Sequence, residues 1–266
     1  MIQMILHRSE LLVLLDALHV GALVGLPLQQ LLPPSREAHQ EALVQGQERL
    51  AQRGLLRRES DGTCKLDGTL LLMASVLAFP QLVALTTRRD RAGHTWHWLH
   101  LYSDGLVVEH TQPDGQQHQL VTLPSPAALT ARLLDLWPAP LGQVPVSCVL
   151  PAEALAALVE ALDAGRDDEA QQLVQLHDLP PPVRGLLLNT LSSRRFSGST
   201  ALLRCAGETV TDARNPGFIV GAQATWLVAP TFPGSSLLRL ESLTGPQLQQ
   251  QLTTWMQALY PLQRAA

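Results

Sequence analysis

The chain has 266 residues, 46% apolar and 16% charged, with a formal net charge of -4. This length allows one large domain or two small ones with an ample core, and the composition excludes disorder, collagen and coiled coil as whole-chain descriptions. Lys65 is the single lysine among 19 basic residues, and a pI near 6.1 excludes the global field of a nucleic-acid binder while leaving room for a local patch.

Met1 to Leu6 is apolar, but no basic stretch precedes it and Glu10 and Asp16 interrupt the apolar residues after it, so it does not read as a signal peptide. Residues 9–19 (SELLVLLDALH) predict a helix capped by Ser9. Gly21 to Gly25 lacks both the P-loop lysine and GxGxxG spacing, and reads as a tight helix turn or a close packing point. Pro27 and the pair Pro33-Pro34 break the pattern. Ser35 then caps a second helix that stops at Gly54. Two short strand-like runs flank Asp61-Gly62, a hairpin signal. Asp67 caps the run TLLLMASVLAF, which is wholly apolar and is therefore expected to be buried, ending at Pro80. Helix, hairpin, helix over 36–80 is winged-helix-like.

The period then changes. Leu82–Arg88, His94–Tyr102, Leu106–His110 and Gln117–Leu123 are strand-like, separated by turns at Ala92-Gly93, Asp104-Gly105 and Asp114-Gly115. They predict a four-stranded meander over 82–123, succeeded by a helix over 126–137. Pro138 and Pro140 introduce a linker at 139–150. The second half, 151–266, repeats the plan: helices from Pro151, around Asp167–Leu176 and after Pro180-Pro181-Pro182, then strand-like runs at Ser199–Cys205, Glu208–Ala213, Gly217–Ala229 and Leu237–Ser242. A last helix opens at Gly245-Pro246 and ends at Tyr260-Pro261. Pro126 and Pro246 lie 120 residues apart, whereas the opening helices are offset by about 143. The expected fold is α+β, an internal duplication of two quasi-symmetric halves, 1–138 and 151–266, each an antiparallel meander packed with helices. The halves are expected to pack about a pseudo-two-fold axis, as one pseudo-symmetric domain or two.

Chemistry is sparse. Cys64, Cys148 and Cys205 have no metal or CxxC spacing and read as reduced core thiols in a cytoplasmic protein. His94, His97 and His100 surround Trp96 and Trp98; alternation puts His94, Trp96, Trp98 and His100 on one face and His97 on the other. No carboxylate or cysteine stands at helpful spacing, so a half-buried strand is favoured over a zinc site. There is no GxSxG elbow, and no base is marked for any cysteine. Asp167-Asp168-Glu169 reads as a charged first helical turn. No catalytic residue, cofactor or metal is expected. Leu70–Phe79 is too short for a membrane span, which needs ~20 residues.

Arg49, Arg53, Arg57, Arg58 and Lys65 cluster on the second helix and the hairpin, where a winged-helix regulator would meet DNA phosphates. This is the alternative function, set against a solvated helix face of mixed sign.

The segment GLLRRESDGTCKLDGTLLLMASVLAFPQ resembles the glycine, apolar pair, DG, apolar helix and proline passage of the EspG family of cytosolic type VII (ESX) secretion chaperones. The closing helix LPSPAALTARLLDLW and the second half ending in LTGPQ and an amphipathic helix are compatible with it. The resemblance implies a non-enzymatic chaperone or adaptor that shields the end of a small helical secreted protein or protein pair and needs no cofactor; no membrane partner is expected, and nucleic acid is disfavoured as one. The surfaces that such a partner would use are sought at Trp96, Trp98, Tyr102 and the polar turn Gln112–His118, and on the last helix at Trp255 and Met256.

Overall fold

The computed structural model describes every residue except 21–22, 25–30, 61–62, 141–143, 208 and 260–266. The turn Asp61-Gly62, most of Gly21–Gly25, Pro27, Glu208, Tyr260-Pro261 and the middle of the linker lie outside the described residues.

The first half runs β1 (Gln3–His7), α1 (Arg8–Ala17), α2 (Arg36–Gln52), the hairpin β2 (Leu56–Arg58) and β3 (Cys64–Leu66), and α3 (Gly68–Ala78). It continues as β4 (Leu82–Asp90), β5 (Thr95–Ser103), β6 (Leu106–Thr111), β7 (Gln117–Leu123) and α4 (Pro126–Leu136). The second half holds β8 (Val146–Pro151), α5 (Ala152–Asp163), α6 (Asp167–Leu176) and α7 (Pro181–Ser192). It ends with β9 (Phe196–Ala206), β10 (Thr209–Arg214), β11 (Gly217–Val220), β12 (Thr225–Pro230), β13 (Leu237–Ser242) and α8 (Gly245–Leu259). The fold is α+β, with an antiparallel sheet of 11 strands and a separate β2–β3 hairpin. Strand order repeats between the halves: β1-β7-β6-β5-β4 in the first and β8-β13-β12-β11-β9 in the second.

Two strands depart from the sequence pattern. The pattern marks β1 only as an apolar start, and residues 146–150, which read as the end of the linker, belong to β8. Both are the opening strand of their half, and each pairs with the last one: Ile5 stands opposite Gln119, and Cys148 opposite Leu240. Each also runs into a helix without a loop. The Arg8 N–H donates to the Gln116 carbonyl at 2.8 Å, and the Ala152 N–H to the Ser236 carbonyl at 2.8 Å.

Chain contacts define two compact units. The first comprises Met1–Leu85, His97–Leu129 and Leu202–Ala213. Its core sets Leu6, Leu99, Leu101, Val108 and Leu120 of the sheet against Leu11, Leu14, Leu70, Met73 and Leu77 of α1 and α3. Each such side chain contributes about 1.5–3 kcal/mol on burial. The α1 cap is His7, not Ser9. The His7 ring accepts the Ser9 N–H, while buried Glu10 accepts the His7 N–H at 2.6 Å and takes Arg53 Nη1 on both oxygens at 2.8 and 2.9 Å. Ser35 and Asp67 cap α2 and α3 as expected. The apolar run is not wholly buried: Leu72 of α3 is 56% exposed and Phe79, just past its end, 55%, because only the stripe through Leu70, Met73, Ala74 and Leu77 meets the core.

The second unit comprises Thr86–Trp96, Thr130–Ala201 and Arg214–Ala266. In its core, α5, α6 and α7 bring Leu158, Leu162, Val174, Leu187 and Leu191 onto Leu150, Ile219, Trp226 and Leu240. Trp226 donates its indole N–H to Thr190 Oγ1 at 3.1 Å.

Glycines on two helices give opposite expectations. A Cβ on Gly46 of α2 would run into the Ser9 carbonyl oxygen and the Val13 side chain, whereas Gly185 of α7 has open space around it. Gly46→Ala should cost about 1–3 kcal/mol by overpacking. Gly185→Ala should instead stabilise by about 0.5–1 kcal/mol through helix propensity. Urea melts of the two variants check the contrast in sign.

Candidate functional site

The most developed surface feature of the second unit begins where β4 turns into β5. Asp90 receives the N–H of Gly93 at 3.2 Å on its carbonyl and that of His94 at 2.9 Å on its carboxylate, and the His94 ring is 2.9 Å from the other carboxylate oxygen. These bonds, with Gly93 at φ +92, set the turn, and the His94 ring, followed by the His94 N–H, holds the Asp90 carboxyl below its usual range. The turn presents Trp96, 40% exposed, at the start of β5.

Behind Trp96 runs a ladder of rings and one cation. The Arg88 guanidinium carbon lies 5.7 Å from the Trp96 ring centre and 4.2 Å from that of Phe196. Phe196 tilts against Trp137 at 6.4 Å, and Trp137 stacks on Phe218 at 4.5 Å. The inner rungs are fixed by polar bonds. Buried Trp137 donates its N–H to Thr200 Oγ1 at 2.8 Å, and Thr200 Oγ1 is 3.0 Å from Thr86 Oγ1. The ladder therefore runs from a solvent-facing indole to a locked core, with a cation between aromatic faces. Burial, and secondarily the Arg132 guanidinium, lowers the Arg88 pKa.

The other expected contact residues are scattered. Trp98, Tyr102 and Gln112 are half-buried and belong to the first unit; Trp255 is half-buried in the second. Met256, at 2% exposed, is core rather than surface, because it lies on the α8 stripe with Leu248, Leu252 and Leu259. The turn over 112–118 ends in a buried His118, so its last residue is not surface either. On the hairpin and α2, Arg49, Arg57, Arg58 and Lys65 are exposed, whereas Arg53 is held by Glu10.

Two buried histidine pairs are not legible as such in the sequence. The His100 Nε2 is 2.8 Å from Glu109 Oε2 across β5 and β6, a carboxylate partner that spacing alone does not reveal. The two-residue turn Asp104-Gly105, both at positive φ, sets Ser103 opposite Leu106 and hence His100 opposite Glu109, so turn chemistry held the signal. On the other face, His110 Nε2 is 2.9 Å from His118 Nδ1, with the rings stacked 5.1 Å apart. Burial lowers both pKa values, to about 3 for His110 and about 4 for His118, with the neighbouring charges secondary. Both rings are thus neutral near pH 7. Among the described residues, no group of three or more His, Cys, Asp or Glu could hold a metal ion. Cys205 is buried and Cys148 half-buried, the latter pushed up to about 11 by burial; Cys64 is exposed on the hairpin, not in a core. No helix among the described residues is long and apolar enough to cross a membrane.

No protein-family model matches the chain, and no curated protein matches it. Among solved structures, the chain is similar to the Mycobacterium tuberculosis type VII secretion system chaperone EspG5, determined in complex with the PE25-PPE41 dimer. The TM-score is 0.67 at 12% identity, over 98% of this chain and 98% of that one. The likeness to EspG proteins drawn from the sequence is therefore met at the level of the fold.

The depressed His110 and His118 pKa values make stability pH-dependent. Their contribution is complete above the unfolded value of 6.5, and is lost as the pH falls from there towards about 3, because the unfolded chain takes up protons first. Thermal melts should show Tm dropping steadily between pH 6.5 and 4. His118→Gln should flatten that slope relative to the wild type.

Proposed function

We propose that the chain is a cytosolic, non-enzymatic chaperone of type VII secretion that binds a small helical secreted protein or protein pair. The observation that carries this reading is the end-to-end match to a chaperone solved with a two-protein partner. The ladder behind Trp96 supports it physically. Interfaces gain most from aromatic and arginine anchors that are rigid before binding, since less side-chain entropy is then lost. Trp96 is exposed, flanked by Arg88 and His94 and backed by packed rings. Trp98, Tyr102, Gln112 and Trp255 are further candidate contacts under this reading.

Co-expression with a helical protein pair encoded beside the gene tests the proposal. A 1:1 complex is expected by size exclusion with light scattering. Trp96→Ala should cost about 2 kcal/mol or more of binding, with Tm nearly unchanged. Failure to recover any helical partner would overturn the reading. Duplex DNA binding that falls steeply with salt and is abolished by Arg57→Glu with Arg58→Glu would replace it with the regulator alternative.

A further inference from the structure

The β2–β3 hairpin and the start of α3 line a cavity of about 260 Å³ in the first unit, with Gly54, Arg57, Glu59, Lys65, Asp67 and Gly68 in its wall. Residues two apart in a strand share a face, and Arg57 stands directly opposite Lys65, so Arg57, Glu59 and Lys65 leave the hairpin on one side. Like charges directly opposite each other are destabilising, and a two-stranded hairpin alone is only marginally stable. Nothing in the chain relieves the pair. Among the described residues, the side chains of Arg57, Glu59 and Lys65 make no ion pair and no hydrogen bond. Asp67 is occupied, because its carboxylate caps α3 by accepting the Thr69 and Leu70 N–H at 2.9 and 3.0 Å. The unpaired charges on the cavity are therefore two cations and one anion. Its wall is also bare. Gly54 needs glycine for its φ of +70, but Gly68 has no such angle, and a Cβ there would meet nothing within 4 Å. Neither backbone conformation nor packing accounts for Gly68, whose missing side chain leaves room beside the charges.

We propose that this cavity binds a small acidic amino acid, with its two carboxylates on Arg57 and Lys65 and its ammonium on Glu59. Two unpaired cations beside one unpaired anion are matched in sign and number by a ligand with two carboxylates and one ammonium. Each carboxylate also separates the like charges of the opposed pair. The volume lies below the ~300 Å³ at which pockets for drug-sized ligands begin, which sets the ligand small. Lys65, the single lysine of the chain, offers rotatable donors on a flexible stem, suited to a compact group rather than a stacked or forked one. Inorganic phosphate or a nucleic-acid backbone fits less well, because it brings no cation for Glu59 and is repelled by it. The site is built wholly from the first unit and does not rest on the chaperone reading.

The test follows the backbone amide signals of the isotope-labelled full chain by NMR. The chain is titrated with L-glutamate, with glutarate, which lacks the ammonium, and with inorganic phosphate. Glutamate should move the Gly54 and Gly68 amide signals saturably. It should bind roughly fivefold more tightly than glutarate, the effect of one exposed charge contact at the upper end of its usual range. Arg57→Gln with Lys65→Gln should weaken glutamate by about fivefold or more. Glu59→Gln should abolish the preference for glutamate over glutarate. All three side chains are exposed, and a thermal melt of each variant establishes that it folds. The proposal is lost if glutamate leaves those two glycines unmoved, or if glutarate or phosphate binds as tightly as glutamate. It is lost equally if the folded Arg57→Gln Lys65→Gln protein binds glutamate unchanged, or if the preference survives Glu59→Gln.

Discussion

One backbone hydrogen bond, made twice, fixes how each half is assembled. A helix leaves its first N–H groups without intrahelical partners, and a helix that continues directly from a strand has no loop in which to satisfy them. Here the first helical N–H, of Arg8 or Ala152, is taken by the carbonyl of the residue preceding the last strand, Gln116 or Ser236. The opening strand, the closing strand and the helix that covers the sheet are thereby locked in one register. The side chains around the bond differ. In the first half, His7, Ser9, Glu10 and Arg53 build a capped and charged cluster; in the second, Pro151 precedes the helix at φ -59 with no side-chain cap. Proline presets the backbone angle that histidine reaches through bonds.

That difference explains what is legible in the sequence. The meander strands, their turns and the closing helices come from local chemistry: positive φ at Gly93, Gly105 and Gly115, caps at Ser35 and Asp67, and Gln117–Leu123 and Leu237–Ser242 at their expected bounds. β1 and β8 do not, because their pairing partners lie roughly ninety or more residues away and no turn announces the register. The 120-residue offset holds from Gln117 to Leu237 and from Pro126 to Pro246, but the first half carries extra chain before β4. What the two halves share is strand order, which tolerates substitution provided that the face pattern is kept. The longer α1–α2 connection, the longer α2 and the hairpin together give the opening helices their larger offset.

At the candidate site, residue type is legible and depth is not. Trp96, Trp98 and His100 share a parity, yet His100 is buried against Glu109 while Trp96 faces solvent. Alternation assigns faces but does not say which end of a strand a helix covers. Phe196 and Arg88 have no signal in the pattern, since their neighbour relation joins strands more than a hundred residues apart. The histidines are divided between roles: His94 sets a turn, His100 fills a polar slot in the sheet, and the pair His110–His118 is kept neutral by burial.

The near-absence of lysine acquires a structural sense from these contacts. Arg53 uses one nitrogen on both oxygens of a buried carboxylate, Arg91 spreads its fork over two carbonyls, and Arg88 lies against ring faces. A lysine ammonium is a compact, strongly hydrated charge: it could meet the carboxylate, but it offers no flat surface for stacking and no fixed fork for two acceptors. Each of these arginines also fixes the geometry of something else, namely the start of α1, the β4–β5 turn and the outer rung of the aromatic ladder. Replacing them with lysine would preserve net charge while loosening those three places. The low charge content of the chain is thus compatible with a well-ordered surface, because its cations bear on packing as much as on solubility.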